Sequence, residues 1–311
     1  MPLSLEQYVL DYLPGRGLPW PVMPPVKVPK ARPALEKLNV RAVLWNVYGT
    51  LLAIPTGELQ FESQIDFATD AAFDKTVQEF KMWQSMSRKP GSPGAYMKEL
   101  FRKAYDLVRL TSGGEVRAEL IWDDIIKKLM TKEYTYDATQ FGPPSEYVKK
   151  IAYFYHASIQ GTGCYPGAAD ALRMVSDAGL KQGLLADGQC FTPVQLLKGL
   201  REQDRYFDLA LHLPTDLRVL SAEKGVKKPH EDLFRMGLAA VRAKGIRPEE
   251  VLHVGSNLTR DIGPAKKVGM KTALFAGDKA SLQATSDQLN DDHFRPDVLL
   301  TELPQIAEVI S

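Results

Sequence analysis

The chain has 311 residues with a formal net charge of +1; 44% of its residues are hydrophobic and 25% charged. That length supports a sizeable core and two domains, and the near-neutral balance gives no reason to expect nucleic acid or an anionic membrane as a partner. Two cysteines, Cys164 and Cys190, make no disulfide framework, no apolar run approaches the ~20 residues of a bilayer span, and the N-terminus lacks a secretory pattern, so a cytoplasmic protein is expected.

Residues 1–38 form a proline-rich N-terminal extension, with eight of the 21 prolines between Pro2 and Pro33. Leu5 to Leu13 carries a helical spacing, with Leu5, Val9, Leu10 and Leu13 on one side. Pro14 to Pro33 favours extended chain, because proline fixes φ and has no N–H. The extension is either a strap over the domain surface or an arm for a partner or a second copy. Trp20, Val22 and Met23 are apolar enough to pack on something.

The first core strand is read at Ala42 to Asn46. Residues 58–160 are helical in pattern, for example at Met97, Leu100, Phe101, Ala104, Tyr105 and Val108, and are read as an all-helical cap domain. Trp83 and Trp122 are assigned to helix packing there. The α/β core comprises 39–57 and 161–311. Strands are expected at Gln182–Ala186, Phe207–Leu211, Val251–Gly255, Lys271–Phe275 and Asp297–Leu300. Helices are expected at Gly167–Ala178, Glu231–Lys244, Asp261–Val268 and Leu303–Ile310. Strands separated by helices imply a parallel, Rossmann-like sheet with right-handed crossovers, and ligands bind outside the carboxyl ends of such strands. Asn46, Asp187 and Ser256 all fall just past strand ends and are expected to converge.

Four segments then resemble the haloacid dehalogenase superfamily of hydrolases in order and spacing. They are Trp45-Asn46-Val47-Tyr48-Gly49-Thr50-Leu51; Leu184-Leu185-Ala186-Asp187-Gly188; Gly225-Val226-Lys227-Lys228-Pro229; and Val254-Gly255-Ser256-Asn257 with Asp261 beyond. The resemblance spans roughly residues 40 to 310 and implies the superfamily's core with a helical cap. It implies a nucleophilic Asp where this chain has Asn46, and a neutral amide is a very poor nucleophile. In phosphatases of the family an acid/base Asp stands at the position of Tyr48 and a Mg²⁺-binding Asp at that of Ser256. Mg²⁺ wants hard oxygens including a carboxylate, so no metal or other cofactor is expected. Asp261 matches the acid that positions the lysine, here Lys228.

Tyr48 and Ser256 are similar to the metal-free L-2-haloacid dehalogenase branch. Ala186 departs from the Ser or Thr that holds the substrate anion in most members. The expected reading is a silent or impaired member that retains an anion-binding cleft for a small carboxylate or phosphate. Thr50, Ala186, Asp187, Gly188, Ser256, Asn257 and backbone N–H groups would line that cleft, with Lys228 gripping the anion.

Alternatives stay open. The chain could be a hydrolase with a non-standard mechanism, in which Asp187 or Asp261 activates water while Tyr48 and Lys228 stabilise charge. It could also be a scaffold acting through the proline-rich arm, and a homo-oligomer is compatible with either. Asn46 itself reads as a structural amide, a weak ligand contact or a substitution introduced to trap a complex. Asp187 reads as a turn residue with Gly188 or as a replacement acid. Cys190 is expected to be a small buried residue, and His230 and His253 to make local hydrogen bonds.

Overall fold

The computed structural model describes residues 1–63, 65–86, 92–112 and 114–310. Its chain divides into two compact units, one of Met1–Val22, Gln60–Gly161 and Gln189–Val194, the other of Met23–Leu59, Thr162–Gly188 and Gln195–Ser311.

The second unit is a parallel α/β core. Its strands are β1 (Ala42–Trp45), β4 (Lys181–Ala186), β5 (Arg218–Leu220), β6 (Val251–Gly255), β7 (Lys271–Phe275) and β8 (Val298–Leu300). They lie in the order β5-β4-β1-β6-β7-β8. A separate antiparallel pair joins β2 (Leu52–Ala53) to β3 (Gly163–Cys164). β1 is buried along its whole length, and alternate residues serve opposite faces of the sheet. Ala42 and Leu44 join Leu185 of β4 and Val219 of β5 in packing on Leu233, Phe234, Leu238 and Val241, the apolar stripe of helix Glu231–Arg242. On the alternate register, the Trp45 indole donates to Gln182 Oε1 at 3.0 Å, and Gln182 donates to Leu172 O in helix Ala168–Asp177. A buried polar pair is thereby satisfied inside the sheet.

One expected strand is absent. Phe207–Leu211 does not enter the sheet; Leu209–His212 is a short helix, and the edge strand is Arg218–Leu220. Asp208 explains the difference, because its carboxylate caps the helix by accepting from the N–H groups of Ala210 and Leu211. The Arg218 side chain then donates to Leu213 O and Leu209 O, tying the helix to the strand that replaced it.

The first unit is helical, built on Asp66–Glu79, Pro93–Thr111, Ala118–Met130 and Pro144–Ile159. Phe73, Phe101, Trp122 and Tyr155 form its aromatic centre, with ring centroids 4.6–5.5 Å apart. Trp122 is fully buried, whereas Trp83 is 48% exposed. No described helix is long and apolar enough to cross a membrane.

The N-terminal extension is shared between the units. Tyr8 and Tyr12 pack against Phe141, and Tyr8 also meets Phe80. The Trp20 ring stands edge-on to Phe154 with the Lys75 ammonium 3.6 Å from its centroid. Burial pushes the Lys75 pKa down to about 8. From Met23 onward the extension belongs to the core: Lys27 N–H donates to Asp278, and Ala34 pairs antiparallel with Leu299, covering the outer edge of β8.

The buried Tyr8 hydroxyl has no hydrogen-bond partner among the described residues. Tyr8→Phe is therefore expected to leave stability unchanged or raise it by about 1 kcal/mol, since it removes an unsatisfied polar group. Tyr8→Ala should cost about 3 kcal/mol through the cavity it leaves. Denaturant midpoints of the two variants against the native chain test both.

Candidate active site

β1 lies at the switch point of the sheet, between β4 on one side and β6 on the other. Side chains that follow these three strands meet at their carboxyl ends, the place where open parallel sheets hold ligands. Asn46 follows β1, Asp187 follows β4, and Ser256 and Asn257 follow β6.

Lys228 organises them. Its ammonium lies 2.6 Å from Asp261 Oδ1, 3.1 Å from Asn46 Oδ1 and 3.4 Å from His253 Nε2. The side chains of Lys228 and Asp261 are 2% and 3% exposed. The other Asp261 oxygen accepts from the backbone N–H groups of Ser256 and Asn257, both at 3.0 Å. Burial works against the charge on Asp261, but the Lys228 ammonium, with His253 beside it, more than offsets this and holds the carboxyl well below its usual range. His253 is also lowered, first by burial and then by the Lys228 charge, so the ring is neutral at pH 7. Its Nδ1 lies 3.0 Å from Leu44 O, which requires a proton on Nδ1 and leaves Nε2 as an acceptor for Lys228.

Asn46 is engaged at both ends of its amide. Oδ1 accepts from Lys228, while Nδ2 donates to Tyr48 O at 2.9 Å and to Thr50 Oγ1 at 3.4 Å. The Tyr48 hydroxyl donates to Gln195 Oε1 at 2.6 Å. Gly49 has φ 79°, and a Cβ there would lie 2.8 Å from Ser256 Oγ, so only glycine lets the turn approach β6 this closely. Asn257 caps the following helical turn through the N–H groups of Thr259 and Arg260. Ala186 is buried at the end of β4, and its side chain offers no polar atom. Gly188 is held by reciprocal contacts with Ser221, its N–H donating to the hydroxyl at 3.0 Å.

Asp187 is more than a turn residue. Its Oδ1 accepts from the Lys228 backbone N–H at 2.9 Å, and its Oδ2 accepts from the Arg260 guanidinium. Arg260 also donates to Glu58, which lies beyond the Pro55–Gly57 turn. Sequence reasoning singled out neither Arg260 nor Glu58. The only signal was an arginine directly before Asp261, and its partners lie far away in the chain. Nor did it place His253 at the site, although a histidine inside the apolar run of β6 was a visible anomaly.

The donor set does not suit Mg²⁺. Asn46 and Ser256 offer neutral oxygens, Asp261 is saturated by Lys228 and two N–H groups, and Asp187 is engaged by Arg260 and a backbone N–H. Among the described residues, no group of three His, Cys, Asp or Glu side chains could hold a metal. Cys190 belongs to the helical unit, where burial, then Glu119, pushes its thiol pKa upward. His230 is exposed and accepts from the Asp232 N–H.

The family model for haloacid dehalogenase-like hydrolases matches residues 40–269. A glyceraldehyde 3-phosphate phosphatase of Pyrococcus furiosus is 34% identical over 146 residues, 47% of this chain and 53% of that protein. This chain thus spans about half the length of that relative. The protein of the same name in Methanocaldococcus jannaschii is 25% identical, over 61% of this chain and 71% of the relative. Among solved structures, a 2-haloacid dehalogenase from Pseudomonas syringae pv. Tomato DC3000 aligns with a TM-score of 0.51 at 15% identity. That alignment covers 86% of this chain and 97% of the other, a likeness of fold.

Lys228→Met leaves Asp261 buried without its counter-charge and is expected to cost about 3–5 kcal/mol. Adding Asp261→Asn should restore most of that loss, a coupling that a double-mutant cycle measures. Stability should also fall with pH. Below about 6.5 the unfolded chain takes up a proton that folded His253 resists, and below about 3.9 the same holds for Asp261. Melting temperatures from pH 7 to 4 should decline throughout, and His253→Gln should flatten the upper part. His156 in the helical unit, pushed down to about 3 by burial, adds a slope of the same sign that this substitution leaves in place.

Proposed function

The chain belongs to the haloacid dehalogenase-like hydrolase family, and from that membership we propose that it is a member without a covalent nucleophile. On this reading it keeps a metal-free cleft for a small carboxylate or phosphate at the carboxyl edge of its sheet. One observation carries the reading. Asn46 occupies the position from which a carboxylate would attack, and its amide is committed to Lys228 on one side and to Tyr48 O and Thr50 on the other. Loss of the nucleophile costs on the order of a millionfold in rate where an enzyme depends on one.

Charge supports the same conclusion. An aspartate at position 46 would set two carboxylates against the single Lys228 ammonium, an excess that a metal ion or a proton must balance. With Asn46, Lys228 and Asp261 balance one to one. Tyr48 hydrogen-bonded to Gln195, and Ser256 in place of an acid, remove the remaining groups that a phosphatase mechanism needs. The relatives' names favour a second reading, hydrolysis of a phosphate ester by water activated at Asp187. Asp187 opposes it, since both of its oxygens are already hydrogen-bonded.

The experiment compares the native chain with Asn46→Asp on phosphate esters, including glyceraldehyde 3-phosphate, and on 2-haloacids, each with and without Mg²⁺. The native chain is expected to release neither phosphate nor halide, and the variant to gain activity by orders of magnitude. Phosphate release by the native chain above background would overturn the silent reading and favour the second.

A further inference from the structure

We propose that Arg260, and not Lys228, is the cation through which this site recognises an oxyanion, and that Glu58 holds its place until the ligand arrives. The inference rests on the anion-binding reading above and names the residue that does the binding.

The argument begins with donors. An ammonium has three N–H groups. Those of Lys228 face three acceptors, Asp261, Asn46 and His253, and the side chain is almost wholly buried. A ligand could bind Lys228 only by breaking one of these contacts inside the protein. A guanidinium has five N–H groups in a planar fork. Arg260 uses one on Glu58 and one on Asp187, and its side chain is 24% exposed. Its other N–H groups make no hydrogen bond among the described residues and are the donors an oxyanion would use.

The position of Arg260 is fixed by the machinery already described. Its backbone N–H is capped by Asn257, and Asp261, the next residue, is pinned by Lys228 and by two N–H groups from the end of β6. The root of the side chain therefore cannot drift from the strand ends. Its two partners differ in exposure. Asp187, which also accepts from the Lys228 backbone N–H, is 27% exposed, and Glu58 is 43% exposed. Two carboxylates on one guanidinium leave an excess negative charge, so an incoming oxyanion displaces the more exposed one. Glu58 is thus an internal competitor, and its carboxylate stands in for the ligand's own anionic group.

Calorimetric titration of the full-length chain at low salt, with inorganic phosphate and with propionate in separate arms, tests this. Glu58→Gln removes the competitor from an exposed site and should tighten binding of one anion severalfold; the arm that responds identifies phosphate or carboxylate. Arg260→Gln should weaken it about tenfold or more, the loss of a charge-assisted hydrogen bond. Arg260→Lys, which keeps the charge but not the fork, should also weaken it, and melting curves establish that each variant is folded. If the native chain binds and Arg260→Gln binds equally well, the assignment is overturned while the anion cleft stands. If Glu58→Gln binds no tighter than the native chain, Glu58 is no competitor and that half fails. If neither the native chain nor Glu58→Gln binds either anion at millimolar concentration, the anion-binding reading itself falls.

Discussion

The contact between Lys228 and Asp261 sets the terms for every other group at the carboxyl edge of the sheet. An ion pair removed from water is tolerated only when the remaining donors and acceptors of both partners are satisfied. Each satisfying group is then constrained in turn. His253 must be neutral, with its proton on the nitrogen that faces Leu44 O. The ends of β6 must present two N–H groups to the same carboxylate. Asn46 must turn its carbonyl oxygen, and not its NH₂, toward the ammonium. The amide orientation follows from that requirement, and it leaves Nδ2 to donate to Tyr48 O. Lys228 and Asp261 balance each other one to one inside this network.

The sheet order makes this convergence possible. The chain lays β4 and β5 on one side of β1 and β6 to β8 on the other, so the loops after β4 and β6 flank the one after β1. Gly49 then folds the turn after Asn46 against Ser256, at a distance no larger residue permits. Arg260 adds a second layer, joining the chain just after the Pro55–Gly57 turn to the end of β4. Two charged clusters result: an inner one that is buried and balanced, and an outer one that is partly exposed and carries surplus negative charge.

Much of this was legible in the sequence, for identifiable reasons. β1, β4, β6 and β7 are short apolar runs with turn residues behind them, and such runs announce buried parallel strands. Asn46, Lys228 and Asp261 are recognisable because their spacing to strand ends is a local property. Phe207–Leu211 misled, since its apolar residues say strand while Asp208 says helix start, and the cap prevailed. Arg260 was illegible for a different reason: its meaning depends on Glu58 and Asp187, which lie 202 and 73 residues away. The proline-rich extension could be seen to pack on something. Its division at Val22 between a helical unit and a sheet edge could not, because its partners, Phe154 and Leu299, become neighbours of the extension only in the fold.

The central position of β1 has a consequence for how the chain reaches this state. The strand is complete by residue 45, yet its contacts lie far downstream: Trp45 bonds Gln182, 137 residues on, and Leu44 O meets His253, 209 residues on. Closing loops of that size comes before any gain from the contacts they create, so such pairings form slowly. During synthesis this fully buried strand emerges early and waits, apolar on both faces, while the helical insert is made and can assemble around its own aromatic centre. The middle of the sheet closes only after Val251–Gly255 has appeared. The interval in which β1 lacks both neighbours is the period of greatest exposure to aggregation. A protein of this topology is therefore governed in the cell as much by the order in which its segments become available as by the stability of the finished fold.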